Sequence, residues 1–210
     1  MDRQVKPGSG AEPSTMNRSA EVKSPGDRSV PWNRYLVFSC LVIGGAAADL
    51  LTKQWVFQWR GLPAMQTTWW LIDGYVGIET AVNPGALFGF GAGHGLVFAG
   101  LSVLAAIAIL VTLFGFGAAH QWWLTIALGC VMAGIFGNLY DRLGLWWQAD
   151  YPDIWKSGVR DWILLQLNDD LKWPNFNIAD SLLVCGAAIL FWKSMFPGPM
   201  TDGAANQDGQ

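Results

Sequence analysis

The chain has 210 residues, of which 52% are hydrophobic and only 14% are charged, and its formal net charge is −3. Soluble domains carry about 25% charged residues, so this composition excludes an ordinary soluble domain and favours a membrane protein. The small net charge, with no basic patch containing interleaved aromatic residues, argues against a nucleic-acid partner. Residues 81–140 contain no Asp, Glu, Lys or Arg, as expected of a chain that crosses a bilayer.

The N-terminal part of the chain differs from the rest. Residues 1–31 are polar and rich in Pro, Ser and Gly, which predicts a disordered tail. No apolar core precedes Pro31, so we do not expect a secretory signal peptide, and the first apolar segment is expected to be retained. The folded membrane domain is predicted over residues 32–197, and residues 198–210 are predicted to form a disordered C-terminal tail.

Four apolar segments have the length of a transmembrane helix, about 20 residues. They cover residues 35–57, 96–116, 122–143 and 178–196. Residues 66–80 mix β-forming and turn residues, which predicts short strands at the membrane surface. Residues 144–174 are expected to form a polar loop. The predicted fold class is an all-α integral membrane protein, with four transmembrane helices and a small β-platform and loop on the non-cytoplasmic face.

The distribution of basic residues predicts the orientation of the chain. The loops after the first and third segments are sparse in Lys and Arg, whereas the first 34 residues contain Arg3, Lys6, Arg18, Lys23, Arg28 and Arg34. Both termini are therefore expected in the cytoplasm. Many of the 13 tryptophans lie near segment ends, which is typical of the aromatic belts at the two membrane interfaces.

Three aspartates lie at or near the ends of the apolar segments. Asp141 follows the long uncharged stretch, Asp180 stands at the start of the fourth segment, and Asp161 lies just outside the apolar segments. A carboxylate at the mouth of a membrane-length segment is costly, so it is a candidate for a functional site. Two carboxylates held close together do not both ionise readily and can share one proton. The ionised member can take a proton from water while the neutral member donates to a substrate oxygen. This aspartic-protease chemistry requires no metal or cofactor.

Each of these acids also has a structural interpretation. Asp180 could cap the fourth helix, since Ser181 and an apolar run follow it. Asp141 could pair with Arg142, and Asp161 could be a solvated loop residue. The residues alone leave these alternatives open.

Other polar and sulfur-containing side chains lie within the apolar segments. Asp49 and Lys53 are four residues apart, so they share one face of the first helix and could form a simple ion pair. Three cysteines lack metal-ligand spacing and are predicted to be small buried hydrophobic residues, so no metal site is expected; they are Cys40, Cys130 and Cys185.

Short motifs carry further information because they occur together and in a fixed order. They are Asp-Leu-Leu-Thr-Lys at 49–53, Asn-Pro-Gly-Ala-Leu-Phe at 83–88, Gly-Asn-Leu-Tyr-Asp-Arg at 137–142, Val-Arg-Asp-Trp-Ile at 159–163 and Phe-Asn-Ile-Ala-Asp at 176–180. Over residues 35–196 the chain resembles lipoprotein signal peptidase, also called signal peptidase II, of bacteria.

The resemblance implies an aspartic-type membrane endopeptidase that removes the signal peptide from diacylglyceryl-modified prolipoproteins, just before the lipidated cysteine. It implies that Asp161 and Asp180 are the catalytic pair, with Asp141 as the alternative partner. The residues that it implies bind substrate or position the aspartates are Asp49, Lys53, Asn83, Asn138, Asp141, Arg142 and Asn177.

The same resemblance implies the setting in which the enzyme works. The partners expected are lipid-modified prolipoproteins and membrane lipid, with no nucleic acid, no cofactor and no metal. The protein is expected to be a monomer in the bacterial cytoplasmic (inner) membrane, with both termini cytoplasmic and the active site at the outer face.

One segment departs from the family pattern. Residues 143–158 make the spacing between the third and fourth motifs longer than usual, and they are rich in aromatic residues. We hypothesise that this insert lies on the outer membrane surface and flanks substrate entry, the alternative being an inert insertion.

The apolar segments and the acidic residues are also compatible with two other functional classes. A proton-coupled transporter or channel would place ionisable groups near the bilayer midplane, often in repeated halves. A non-catalytic membrane scaffold has no need of paired aspartates. The predicted acids gather toward one face and the sequence shows no internal repeat, which favours the peptidase.

Overall fold

The computed structural model describes residues 29–85, 91–168 and 170–196. Within them, four helices are long and apolar enough to cross a membrane. They are α1 (Trp32–Arg60), α2 (Gly95–Leu110), α3 (Trp122–Arg142) and α4 (Ile178–Met195), with α2 continued by a π-helical turn, Val111–Gly115. The four predicted segments are thus confirmed, and most of the two predicted tails lies outside the described residues.

A small antiparallel sheet accompanies the helices, with strand order β1-β2-β3-β4. Its strands are β1 (Trp69–Ile72), β2 (Val76–Asn83), β3 (Val159–Asn168) and β4 (Leu171–Lys172). The strands expected within residues 66–80 are therefore present, although β2 runs on to Asn83.

The prediction that residues 144–174 form a polar loop is wrong for the second half of that segment. Ten of its residues form β3, which pairs with β2 in a register that sets Asp161 opposite Ala81 and Arg160 opposite Val82. The pairing joins two segments that are far apart in sequence and satisfies backbone groups that a loop would leave to water. It also gives Asp161 a fixed place in a sheet, so the interpretation as a solvated loop residue is wrong.

Helix α3 is the central element, since it contacts the other three helices. Small residues allow this close approach. A Cβ atom added to Gly134 of α3 would lie 2.5 Å from the carbonyl oxygen of Ala179 in α4, and one added to Gly45 of α1 would lie 2.7 Å from Cβ of Ala133. The polar C-terminal end of α3 is thereby held against the N-terminal end of α4.

The cysteines differ from their predicted burial. Cys40 and Cys185 are exposed and Cys130 is half-buried, and none of the three forms a disulfide. The prediction treated the protein interior as the only apolar surroundings available. In helices of membrane-spanning length, a small apolar side chain can face outward, where lipid takes the place of water.

Candidate active site

Asn177 connects two aspartates at the start of α4. It is completely buried and is the N-cap of the helix. Its Oδ1 accepts a hydrogen bond from the backbone N of Asp180 at 2.9 Å, and Oδ2 of Asp180 accepts one from the backbone N of Asn177 at 3.1 Å. This reciprocal capping box satisfies two free helix donors. The amide Nδ2 of Asn177 donates to Oδ1 of Asp161 at 2.7 Å.

Asn138 of α3 holds the second aspartate. Its Nδ2 donates to Oδ1 of Asp180 at 2.8 Å, and its Oδ1 accepts from Nζ of Lys53 at 2.9 Å. The same oxygen lies 3.2 Å from Nδ2 of Asn177. One side chain therefore links α1, α3 and α4, and both amide groups fix the orientation of the neighbouring carboxylates.

Asp161 and Asp180 face one cavity, and their surroundings differ. Asp161 is only 3% exposed, whereas Asp180 is half-buried. Burial raises the pKa of Asp161 well above its usual value, and the charge of Asp180 raises it further; Lys53 and the hydrogen bond from Asn177 oppose this shift. The arrangement favours a neutral carboxyl at Asp161, which is one half of an acid–base pair.

A buried charge cluster lies behind this pair. Nζ of Lys53 lies 2.6 Å from Oδ2 of Asp49 and 3.3 Å from Oδ2 of Asp141, and all three side chains are fully buried. Oδ1 of Asp49 also accepts the backbone N–H of Ala179 at 2.9 Å. Because buried charges are tolerated only when paired, this cluster ties α1 to both α3 and α4.

Asp141 is engaged on both of its oxygens. Oδ1 accepts from Nε and Nη2 of Arg160 at 3.1 and 2.8 Å, and Oδ2 accepts from the backbone N of Arg160 at 2.9 Å. Its ion partners are therefore Arg160 and Lys53, and it does not line the cavity. The structure brings Asp161 together with Asp180 and leaves Asp141 outside that pair.

Arg160 is the residue of this site that the sequence analysis missed. It is 3% exposed and lies next to Asp161 in β3, where successive side chains point to opposite faces. The available signal was charge balance, since Lys53 alone cannot neutralise both Asp49 and Asp141. That signal depends on knowing that all of these groups are buried, which the sequence does not state.

Arg142 and Asn83 lie at the edge of the cavity. Nη1 of Arg142 donates to the carbonyl oxygens of Asn83 at 3.2 Å and Ser157 at 3.0 Å, and Nη2 donates to the carbonyl oxygen of Gly85. Arg142 thereby ties the end of β2 to α3. Asn83 stabilises the following turn, because its Oδ1 accepts from the backbone N of Gly85 at 3.0 Å. Residues 86–88 of the second motif lie outside the described residues.

The cavity has a volume of about 1010 Å³ and two chemically different parts. Its polar end is formed by Asn83, Asn138, Arg142, Asp161 and Asp180. The rest is mainly apolar, with side chains from α2, α3 and α4 such as Leu101, Ala105, Ile135, Leu183 and Val184. Such a space can hold a peptide bond against the carboxylates while hydrocarbon chains extend between the helices.

The next feature of the site is how its carboxylates are paired. Among residues 29–85, 91–168 and 170–196, no group of three or more His, Cys, Asp or Glu side chains has a geometry that could hold a metal ion. The carboxylates of the site are instead committed to amide, arginine and lysine donors.

Comparison with known proteins agrees with this architecture. The family described as signal peptidase (SPase) II matches residues 40–196. A lipoprotein signal peptidase of Rhodopirellula baltica is 60% identical over 176 residues, covering 84% of this chain and 79% of that protein. A lipoprotein signal peptidase of Rhodococcus jostii is 33% identical over 161 residues, covering 75% and 71%.

The fold has a counterpart among solved structures. The structure of a bacterial membrane enzyme determined by the in meso method at 2.3 Å resolution has a TM-score of 0.63 and 22% identity, covering 85% of this chain and 97% of that one. At this identity the likeness concerns the fold. The family match over residues 40–196 and the relative at 60% identity show that the chain belongs to the signal peptidase II family.

Proposed function

We propose that the protein is an aspartic-type endopeptidase that cleaves diacylglyceryl-modified prolipoproteins just before the lipidated cysteine. Cleavage of prolipoprotein signal peptides is the function of the family to which it belongs. The observation that carries the aspartic mechanism is the convergence of Asp161 and Asp180 on the polar end of one largely apolar cavity.

The unequal surroundings of the two aspartates suggest their roles. Asp180, ionised, takes a proton from a water molecule while the oxygen of that water attacks the scissile carbonyl carbon. Asp161, neutral, gives its proton to the carbonyl oxygen, so that a tetrahedral diol forms without a buried oxyanion. In the second half, the C–N bond breaks, the departing amine takes the proton held by Asp180, and a diol hydroxyl returns a proton to Asp161.

The surrounding amides and charges hold the pair in place for this reaction. Asn177 donates to carboxylate oxygens of both aspartates, from Nδ2 to Asp161 and from its backbone N to Asp180, and Asn138 donates to Asp180, so neither carboxylate can turn freely. We assign positioning roles to both asparagines and to the buried pair of Asp49 and Lys53 behind them. Preorganised geometry of this kind contributes several kcal/mol to many enzymatic reactions.

The cavity also suggests how the lipidated substrate is held. Arg142 and Asn83 lie at its polar edge, and we assign to them the binding or orientation of the substrate backbone. The apolar walls between α2, α3 and α4 would hold the acyl chains, so no charged lipid pocket is required. We propose that the protein acts as a monomer, since one chain supplies both aspartates and the apolar walls of the cavity.

We further propose that the protein resides in the bacterial inner membrane with both termini cytoplasmic and the site at the outer face. The excess of Lys and Arg in the first 34 residues supports this orientation. Trp55, Trp59 and Trp69 form one run of ring contacts where α1 meets the sheet, which suggests that this end of the bundle lies at one of the two membrane interfaces. They remain 59%, 39% and 40% exposed, as expected of tryptophans in an interfacial belt.

The test uses the purified full-length protein in detergent with a diacylglyceryl-modified prolipoprotein, and measures release of the signal peptide. The same prolipoprotein without the lipid is the matched substrate, and a chelator is added in a parallel reaction. We expect release from the lipidated substrate, poor release from the other, and no effect of chelator. Loss of turnover with chelator would contradict the metal-free mechanism, and equal turnover of both substrates would contradict delivery through the membrane.

A further inference from the structure

The insert of residues 143–158 is closed at its base. Nε1 of Trp146 donates to the carbonyl oxygen of Gly158 at 3.0 Å, which joins the beginning of the segment to its end. Gly144 has a φ of +72°, and a Cβ atom there would lie 2.7 Å from the carbonyl oxygen of Lys156. A glycine is therefore needed where the chain leaves α3 and turns back on itself.

The insert packs on the side of β3 away from the cavity. None of residues 143–158 lines that cavity, although Val159 and Asp161 do. Arg160 lies between these two in the strand and therefore faces the other way. Its guanidinium meets two aromatic rings there, with Cζ 5.3 Å from the ring centre of Trp146 and 5.9 Å from that of Phe57. The two rings contact each other edge to face at 6.0 Å.

These rings separate an ion pair from solvent. The guanidinium of Arg160 lies 2.8 Å from the carboxylate of Asp141, and the two side chains are 3% and 0% exposed. The attraction between opposite charges grows as water is excluded from around them. Trp146 covers the pair with a flat ring and offers the cation its π face, which adds a further attraction.

The covered pair also controls the backbone of the catalytic strand. The backbone N of Arg160 donates to Oδ2 of Asp141 at 2.9 Å, and its carbonyl oxygen lies 3.3 Å from Nδ2 of Asn177. Both contacts fix the residue immediately before Asp161. A shift at Arg160 would therefore move the carboxyl group of Asp161 relative to Asp180.

We propose that Trp146 is a positioning residue of the peptidase: it closes over the Arg160–Asp141 pair and so holds Asp161 in register with Asp180. This inference rests on the proposed function and gives the insert a role in the reaction. An interfacial anchor would be better served by other residues of the insert, since Leu145 and Ile154 are 60% and 61% exposed whereas Trp146 is half-buried and hydrogen-bonded within the protein.

The test compares Trp146→Leu, Trp146→Phe and the control Trp147→Leu in the full-length enzyme, with the lipidated prolipoprotein as substrate. Trp147 lies in the same insert and is equally half-buried, but its ring faces Lys156 at 5.3 Å. We expect Trp146→Leu to lower kcat on the order of tenfold with KM within about twofold, because misplacement of a reacting group affects the chemical step. Trp146→Phe keeps a ring over Arg160 and should restore most of kcat, and Trp147→Leu should match wild type.

Hydrogen exchange gives a second readout. Exchange of the Arg160 amide should accelerate in Trp146→Leu and remain unchanged in Trp147→Leu. If Trp146→Leu does not fold, Phe57→Leu carries the test, since it removes the other ring over Arg160 and should lower kcat in the same way. A kcat for Trp146→Leu within about twofold of wild type, or an equal loss in Trp147→Leu, overturns the proposal. An inactive wild type would instead contradict the proposed function.

Discussion

The side-chain amide of Asn177 donates a 2.7 Å hydrogen bond to the carboxyl group of Asp161. Asn177 is also the N-cap of α4. The residue that begins the helix therefore also orients the buried acid, and the capping box places Asp180 one turn further along the same helix. The same few residues therefore both start the helix and bring the two aspartates together.

These two roles of Asn177 can be separated by substitution. Serine caps helices about as well as asparagine but lacks the amide that reaches Asp161. We expect Asn177→Ser to retain stability within about 1 kcal/mol and to lower kcat roughly 10- to 100-fold. Thermal unfolding and signal-peptide release, measured on the same preparation, check the two expectations.

Asn177→Ala is the matched control, since it removes both the cap and the amide. It should lose about 1 kcal/mol of stability in addition to the loss of activity. Full activity in Asn177→Ser would show that the contact with Asp161 has no part in the reaction.

Asp161 should make the folded protein less stable as the pH rises. Its pKa is raised in the folded state by burial and by Asp180, so its favourable contribution is complete below the unfolded value of about 3.9 and is lost as the pH passes the folded value. Asp161→Asn cannot ionise, and its amide oxygen can still accept from Asn177. We expect the variant to match wild type near pH 4 and to become increasingly more stable than it above that pH.

The measurement is the midpoint of thermal unfolding of both proteins across a pH series. Each unit of pKa shift corresponds to about 1.4 kcal/mol. A difference between the two proteins that shrinks as the pH rises would contradict a raised pKa at Asp161.

Lys53 should be essential for stability. It is completely buried and neutralises Asp49 at 2.6 Å and Asp141 at 3.3 Å. Lys53→Met leaves buried carboxylates without this partner, so we expect a loss of about 3–5 kcal/mol in unfolding free energy. Lys172→Met is the control, because its ion pair with Glu79 is partly exposed and should contribute about 0–1 kcal/mol.

Neutralising the partner tests the reason for that loss. The double variant Asp49→Asn with Lys53→Met removes one of the unpaired charges while keeping an oxygen that can accept from Ala179. It should be more stable than Lys53→Met alone. An equal or greater loss would assign the effect to packing rather than to unpaired charge.

Gly137 should tolerate no larger side chain. A Cβ atom there would lie 2.6 Å from Oδ2 of Asp49 and 3.0 Å from Cβ of Ala179, so Gly137→Ala would push α3 away from both α1 and α4. We expect a loss of about 1–3 kcal/mol together with reduced cleavage. In Gly100→Ala the new Cβ meets nothing within 4 Å, so stability there should be unchanged or up to about 1 kcal/mol higher.

The outcome of this comparison is read from thermal unfolding and signal-peptide release. Wild-type behaviour of Gly137→Ala, or equal losses in both variants, would mean that close approach at Gly137 does not hold the charge cluster together.

The parts of the fold that were predictable are those that local sequence determines. Transmembrane helices follow from apolar segments of sufficient length, so all four were found. The hairpin formed by β1 and β2 was also signalled, since its β-forming residues lie close together along the chain. The aspartate pair came from the resemblance, because the residues alone left capping, ion pairing and solvation open.

The parts that were missed depend on contacts distant in sequence. β3 pairs with β2, which lies some 80 residues away in sequence. Because β3 lies within a segment that contains many polar residues, the segment resembles a loop until its partner strand is known. Arg160 was missed for the same reason, since only the register between β3 and β2 shows that its side chain points to Asp141. Asp180 is not the N-cap expected from the sequence, because α4 begins three residues earlier and Asn177 is its N-cap; Asp180 takes part in the capping box from inside the helix. The ion pair of Asp49 with Lys53 is present as expected, so a structural role does not exclude a functional one.

The most direct test of the aspartate pair is single-turnover cleavage of a diacylglyceryl-modified prolipoprotein by Asp161→Asn, Asp180→Asn and Asp141→Asn, each verified as folded. We predict that the first two abolish cleavage. Asp141→Asn should keep measurable activity, since an amide oxygen can still accept from Arg160. An active Asp161→Asn beside an inactive Asp141→Asn would contradict the assignment of Asp161 and Asp180 as the reacting pair.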